Sequence, residues 1–174
     1  MKKFLATLMT LALLLTSAAG LAETVPEINW EMVDIESTGI EGDWYTLNAV
    51  ALQIWIPDTF EAAEITEEDG PGVVVKFMAP DGTAGIFGQL IEGYEGATTE
   101  DMIERISANG ATDIERCILN GLDAVSYSIP DTDAGYVAFV TASGNFMQFV
   151  FVPVSDEGFS SLAQIVTASI MPEQ

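Results

Sequence analysis

Twenty-seven carboxylates and no histidine set the chemistry open to this chain. Without imidazole, a Ser-His-Asp or Cys-His nucleophile cannot be assembled, and the common zinc sites lose their usual ligand. Two acidic stretches, Glu67-Glu68-Asp69 and Asp131 with Asp133, carry oxygen ligands of the kind a hard cation such as calcium accepts. Neither has the spacing of a calcium loop, so solvated acidic turns are the favoured reading and weak divalent-cation binding stays open. Paired carboxylates also serve glycoside cleavage, one as acid and one as nucleophile or base. With so many acids, their presence singles out no pair. Trp30, Trp44, Tyr45 and Trp55 would supply a sugar-stacking platform for such a reaction, although aromatic side chains in a layered domain more often fill its core.

The single cysteine, Cys117, lies in the strand-like run Glu115-Arg116-Cys117-Ile118-Leu119 and reads as a small buried hydrophobe. A nucleophilic role would need a base or a cationic neighbourhood to form the thiolate. Gly82, Gly85 and Gly88 miss the phosphate-loop and dinucleotide spacings and fit a turn and close packing inside a strand. On these grounds no catalytic residue, cofactor site or metal site is assigned.

Charge and the N-terminus bound the rest. Met1-Lys2-Lys3, the apolar run Phe4 to Leu15 and the small residues closing on Gly20-Leu21-Ala22 have the three-part layout of a secretory signal peptide. The expected organisation is a signal over 1–22, an acidic lead-in over 23–44 and one domain over 45–174. Cleavage would leave 152 of the 174 residues, enough for one core. No later apolar run approaches the roughly 18 residues of a membrane helix. A lipid-anchored form would need a cysteine at the cut, so a secreted, extracytoplasmic protein is expected. Lys2 and Lys3 leave with the signal, and Lys76, Arg105 and Arg116 then face 27 acids, a formal charge of −24. That surface repels phosphate backbones and anionic head groups, which argues against nucleic acid and anionic membranes as partners.

These residues must be positioned by a largely antiparallel sheet. Asp81-Gly82, Asn120-Gly121 and Ser143-Gly144 each separate two strand-like runs and predict three hairpins. Leu52, Ile54 and Ile56 share one face of a further strand that ends at Pro57-Asp58. Phe146 to Val152 is apolar on both faces, which predicts a central strand with cover above and below. Helical spacing follows Thr98, with Met102, Ile103 and Ile106 as the stripe and Gly110 as the stop. A second helix is expected after Ser155, carrying Phe159, Leu162, Ala163, Val166 and Ile170. The fold class is α+β: about six strands in hairpins covered by two helices.

The order of an Ile54-Trp55-Ile56-Pro57-Asp58 strand end, a hairpin, a helix, the Asn120-Gly121 hairpin, a third hairpin and a closing helix over Ile165 to Ile170 resembles the PsbP-like fold. Extrinsic photosystem subunits, the Mog-type Ran-binding protein and exported bacterial proteins of the DcrB kind share that fold. The resemblance covers about residues 45 to 171 and is one of layout; no site residues transfer with it. It implies accessory binding or assembly more than catalysis, with a protein or a cell-surface ligand as partner. A carboxylate-dependent extracellular glycan hydrolase is the alternative, and a purely structural or solubility role with no specific ligand is a third.

Overall fold

The computed structural model describes residues 25–92, 96–142 and 144–173. The expected signal segment and Ser143 lie outside them.

Turn chemistry organises the chain much as its sequence suggests. Strands β5 (Val73–Met78) and β6 (Gly85–Ile91), β7 (Thr112–Leu119) and β8 (Leu122–Ser128), and β9 (Gly135–Val140) and β10 (Phe146–Val152) form three antiparallel hairpins. Asn120 and Gly121 both have positive φ, 47° and 84°, as the tight two-residue turn requires. The first hairpin closes differently. Gly82 N–H donates to the Ala79 carbonyl (2.8 Å), so Pro80 and Asp81 form the centre and only Gly82 is left-handed.

The six hairpin strands are the middle of a larger sheet. Short strands β1 (Glu27–Ile28) and β4 (Glu61–Ala62) extend its edges, giving the order β1-β7-β8-β9-β10-β6-β5-β4. A second sheet holds β2 (Gly42–Leu47), β3 (Leu52–Pro57) and β11 (Met171–Pro172) in the order β11-β3-β2. The expectation of about six strands is therefore corrected to an eight-stranded and a three-stranded sheet. Two-residue strands carry no periodicity, and the Leu52-led strand pairs outside the hairpin sheet. The lead-in joins the fold at both ends: β1 pairs in parallel with β7, and β2, which spans the expected boundary at residue 44, pairs with β3.

Three α-helices occur among the described residues: α1 (Ile35–Thr38), α2 (Thr99–Ala108) and α3 (Glu157–Ser169). Thr98 and Asp101 cap α2 reciprocally, each side chain accepting the other's backbone N–H. Asp156, not Ser155, caps α3, accepting from Phe159 N–H at 2.7 Å. Ser155 is already held by Asp133, which accepts its backbone N–H and its hydroxyl. No described helix is long and apolar enough to cross a membrane.

Pairing register assigns the two faces of the large sheet. One carries Val75, Phe77, Ile86, Leu119, Val137, Phe139, Met147, Phe149 and Phe151, all buried with Phe159, Ala163 and Val166 of α3 and Leu52, Ile54 and Ile56 of β3. Gly88 permits this packing, because a Cβ there would stand 2.8 Å from Met147 and 3.0 Å from Val75. The other face meets α2 through Val125, Tyr127, Ala138 and Phe146, packed with Met102 and Ile106. Strand β10 is central, as its composition predicts. Its second face is covered only at the Phe146 end, and Gln148, Val150 and Val152 are half-buried.

Candidate functional site: a tryptophan groove

Strand register places two tryptophans on the outer side of the small sheet. Trp44 on β2 pairs directly with Trp55 on β3, so both point away from the face that buries Leu52, Ile54 and Ile56. Trp55 lies over Gly42, where a Cβ would come within 2.5 Å of the indole. A third tryptophan arrives from the lead-in. The 3-10 turn Trp30–Met32 follows β1 and sets Trp30 edge-to-face on Trp44, with ring centroids 5.3 Å apart and planes at 80°. Trp30 also tilts over Trp55 at 5.8 Å. Trp55 is buried, Trp30 half-buried and Trp44 43% exposed. Tyr45 faces the other way, against Phe77 in the core with centroids 4.9 Å apart, and takes no part in the platform.

One asparagine clamps this corner. Asn120, at the β7–β8 turn, accepts the Trp30 backbone N–H on Oδ1 (2.7 Å) and donates from Nδ2 to the carbonyls of Ala168 (2.7 Å) and Ile170 (2.8 Å). Its own N–H donates to the Ile28 carbonyl at 2.8 Å. The lead-in, a hairpin turn and the end of α3 are thus fixed to one another by one side chain. Below them, the buried Ser169 hydroxyl accepts the Trp55 backbone N–H (2.9 Å), continuing the β3 ladder past the end of β11.

The result is an open groove of about 710 Å³ between the lead-in, the outer sheet face and the C-terminal strand. Trp30 and Trp44 supply its apolar wall, Asn29 and Gln53 its amides, and Glu31 and Glu173 its carboxylates. Among the described residues no basic side chain lines it. The Gln53 amide is not taken up by any hydrogen bond to the described residues.

A cavity of about 200 Å³ under α2 is bordered by Met102, Arg105, Ile106, Tyr127, Phe146 and Gln148. Two of its polar groups belong to a relay that runs on beyond it: Tyr127 O–H donates to Gln148, Gln148 to Gln89 and Gln89 to the Pro71 carbonyl, each at 2.7 Å. Burial raises the Tyr127 pKa, with Tyr136 adding to it. Cys117 is buried, and that burial, with Asp123 and Glu115 nearby, pushes its thiol up to about 12. A thiol so displaced is a poor nucleophile.

One carboxylate of each acidic stretch is taken up by internal bonds. Asp69 pairs with Lys76 at 2.7 Å and caps the Glu67–Asp69 turn, and these bonds, the one from Lys76 first, hold its pKa below the ordinary range. Asp133 holds Ser155. Among the described residues no three acidic or thiol groups converge as a metal site would need. Of the described carboxyls with displaced pKa values, only Glu115 is raised, by burial and then by Asp113, and it lies outside the groove.

No family model and no curated protein matches the chain. Among solved structures it is similar to the cyanobacterial PsbP (CyanoP) of Synechocystis sp. PCC 6803. Identity is 15% and the TM-score 0.54, over 91% of this chain and 98% of that one. The chain therefore has a PsbP-like fold, in agreement with its element order, and at this identity the likeness speaks for the fold alone. A protein of Bacteroides thetaiotaomicron is a looser likeness on which nothing rests: 16% identity and a TM-score of 0.43, over 71% of this chain and 46% of that one.

Proposed function

We propose that this protein is an exported, non-enzymatic binding domain whose ligand site is the tryptophan groove. The observation that carries the proposal is Trp44. A large aromatic left 43% exposed beside a second indole, on a sheet whose other side buries Leu52, Ile54 and Ile56, is an unfilled contact surface. Its surroundings are rigid, since the Asn120 clamp and the Ser169 bridge fix all three segments that form it. Rigid aromatic surface lowers the ordering cost of binding. Export rests on residues 1–22, and the −24 charge of the remaining chain suits a protein that must stay soluble outside the cell.

Affinity capture from the surface extract of the producing cell tests this. The secreted form should retain a specific component that Trp44→Ala fails to retain at unchanged circular dichroism. Equal retention by both forms would remove the groove from the proposal. The carboxylates Glu31 and Glu173 beside the indoles keep glycan hydrolysis as the second reading. Turnover of a polysaccharide that disappears in Glu31→Gln or Glu173→Gln would put catalysis first.

A further inference from the structure

We propose that the groove binds an uncharged glycan chain built of pyranoses with equatorial substituents. The inference rests on the preceding reading that the groove is a ligand site, and it names the ligand class. Perpendicular indoles make a corner with two apolar walls, and the ring of such a sugar has an apolar face of axial C–H groups that lies flat on an indole. Trp44 is the free platform and Trp30 the wall beside it.

The polar lining matches hydroxyl groups. Each sugar hydroxyl both donates and accepts, and the groove answers with both: Gln53 and Asn29 carry amides, Glu31 and Glu173 accept. A wholly apolar ligand would leave these groups unpaired on desolvation, at a cost for each. A basic peptide could also meet the indoles by cation–π contact, the carboxylates by charge and the amide donors with its backbone carbonyls, and it is set apart from a neutral glycan by the salt dependence of its binding. Volume points the same way. About 710 Å³ of open groove suits several sugar rings better than one small molecule.

Charge restricts the glycan further. Among the described residues no basic side chain lines the groove, and the chain carries a formal −22 before any processing. Uronates, sulfated sugars and phosphorylated sugars would enter a repulsive field with no counter-ion.

The test is a titration of the secreted protein, followed by tryptophan emission and calorimetry, at low and high salt. The probes are cellohexaose, xylohexaose, mannohexaose, chitohexaose, oligogalacturonate and octalysine. At least one neutral hexaose should bind and change the tryptophan emission, with little salt dependence, while oligogalacturonate does not bind. Trp44→Ala should weaken that binding by roughly tenfold or more, and Gln53→Ala by a smaller factor, with circular dichroism unchanged. Salt-sensitive binding of octalysine without any hexaose would overturn the glycan assignment and leave the binding-domain reading standing. Failure of every probe would overturn the assignment, as would hexaose binding that Trp44→Ala leaves intact.

Discussion

The two faces of the eight-stranded sheet are built to different standards. One is sealed by α3 and the small sheet, with Phe139, Phe149, Phe151 and Met147 completely out of solvent. The other has only α2, ten residues long, packed over one end; Phe87, Tyr136 and Val150 stay half-buried, and a cavity of about 200 Å³ remains beneath the helix. The small sheet is what makes the difference. Its inner side completes the first face, and its outer side carries the tryptophan groove. The candidate site therefore stands on the outer side of a packed layer, where a binding surface can be held without closure.

The most severe way to test that contrast is to hollow each face in turn. Phe149→Ala on the sealed face should cost about 3–5 kcal/mol, because neighbours fixed between two layers cannot collapse into the space. Met102→Ala on the α2 face should fall near the low end of the roughly 2–5 kcal/mol range for such truncations, since a cavity already borders it and the helix can settle. Urea unfolding of both variants gives the comparison. Equal losses would mean that the two faces are packed alike.

A smaller effect separates the groove from the core beneath it. Asn120→Asp preserves a residue tolerant of positive φ and the acceptor for Trp30 N–H, but it removes the donor to Ala168 and Ile170 and places a carboxylate against two carbonyls. A loss of roughly 1–3 kcal/mol is expected, with a red shift of tryptophan emission as Trp30 loosens. Lost stability without a change in emission would show that the clamp serves the helix end and not the site.

Legibility in the sequence followed the range of the interactions. The three hairpins and the α2 cap at Thr98 depend on neighbours a few residues apart and are readable from turn residues and periodicity, while the central place of β10, which needs the distant β6, shows only through its two-sided apolar composition. The site is not local. That Trp44 and Trp55 share a face depends on the β2–β3 register, and that Trp30 joins them depends on a hydrogen bond to Asn120, 90 residues away. Asn120-Gly121 was visible as a turn, yet nothing in its spacing tells that the side chain also ties down the lead-in. Tyr45, of the same type as its platform neighbours, was separable from them only by strand alternation. It sits next to Trp44 and so points to the opposite side.

The mildest prediction concerns how α2 is latched to its thinner face. Arg116 on β7 reaches Asp123 on β8 through two nitrogens and Glu100 at the start of α2 at 2.7 Å, while Thr99 donates to Asp123 at 2.8 Å. The hydrogen bonds from Arg116 hold the Asp123 carboxyl below its ordinary pKa, with the Thr99 bond adding to them against partial burial. A carboxyl depressed in the folded state stabilises above its unfolded pKa, and that contribution is lost as pH falls through the folded value. These side chains are more than a third exposed and screened by solvent, so Arg116→Gln should lower the melting temperature only slightly at neutral pH. The gap in melting temperature between the two forms should stay constant from pH 7 to about 5, then close below about 4, where the unfolded carboxylates titrate. Added salt should narrow it as well. Because both forms share nearly the same large negative charge, the general effect of acid on self-repulsion cancels in the difference. A gap that persists undiminished at pH 3 would mean that Arg116 holds α2 by packing of its stem, and that the thinner face depends on contact no less than the sealed one.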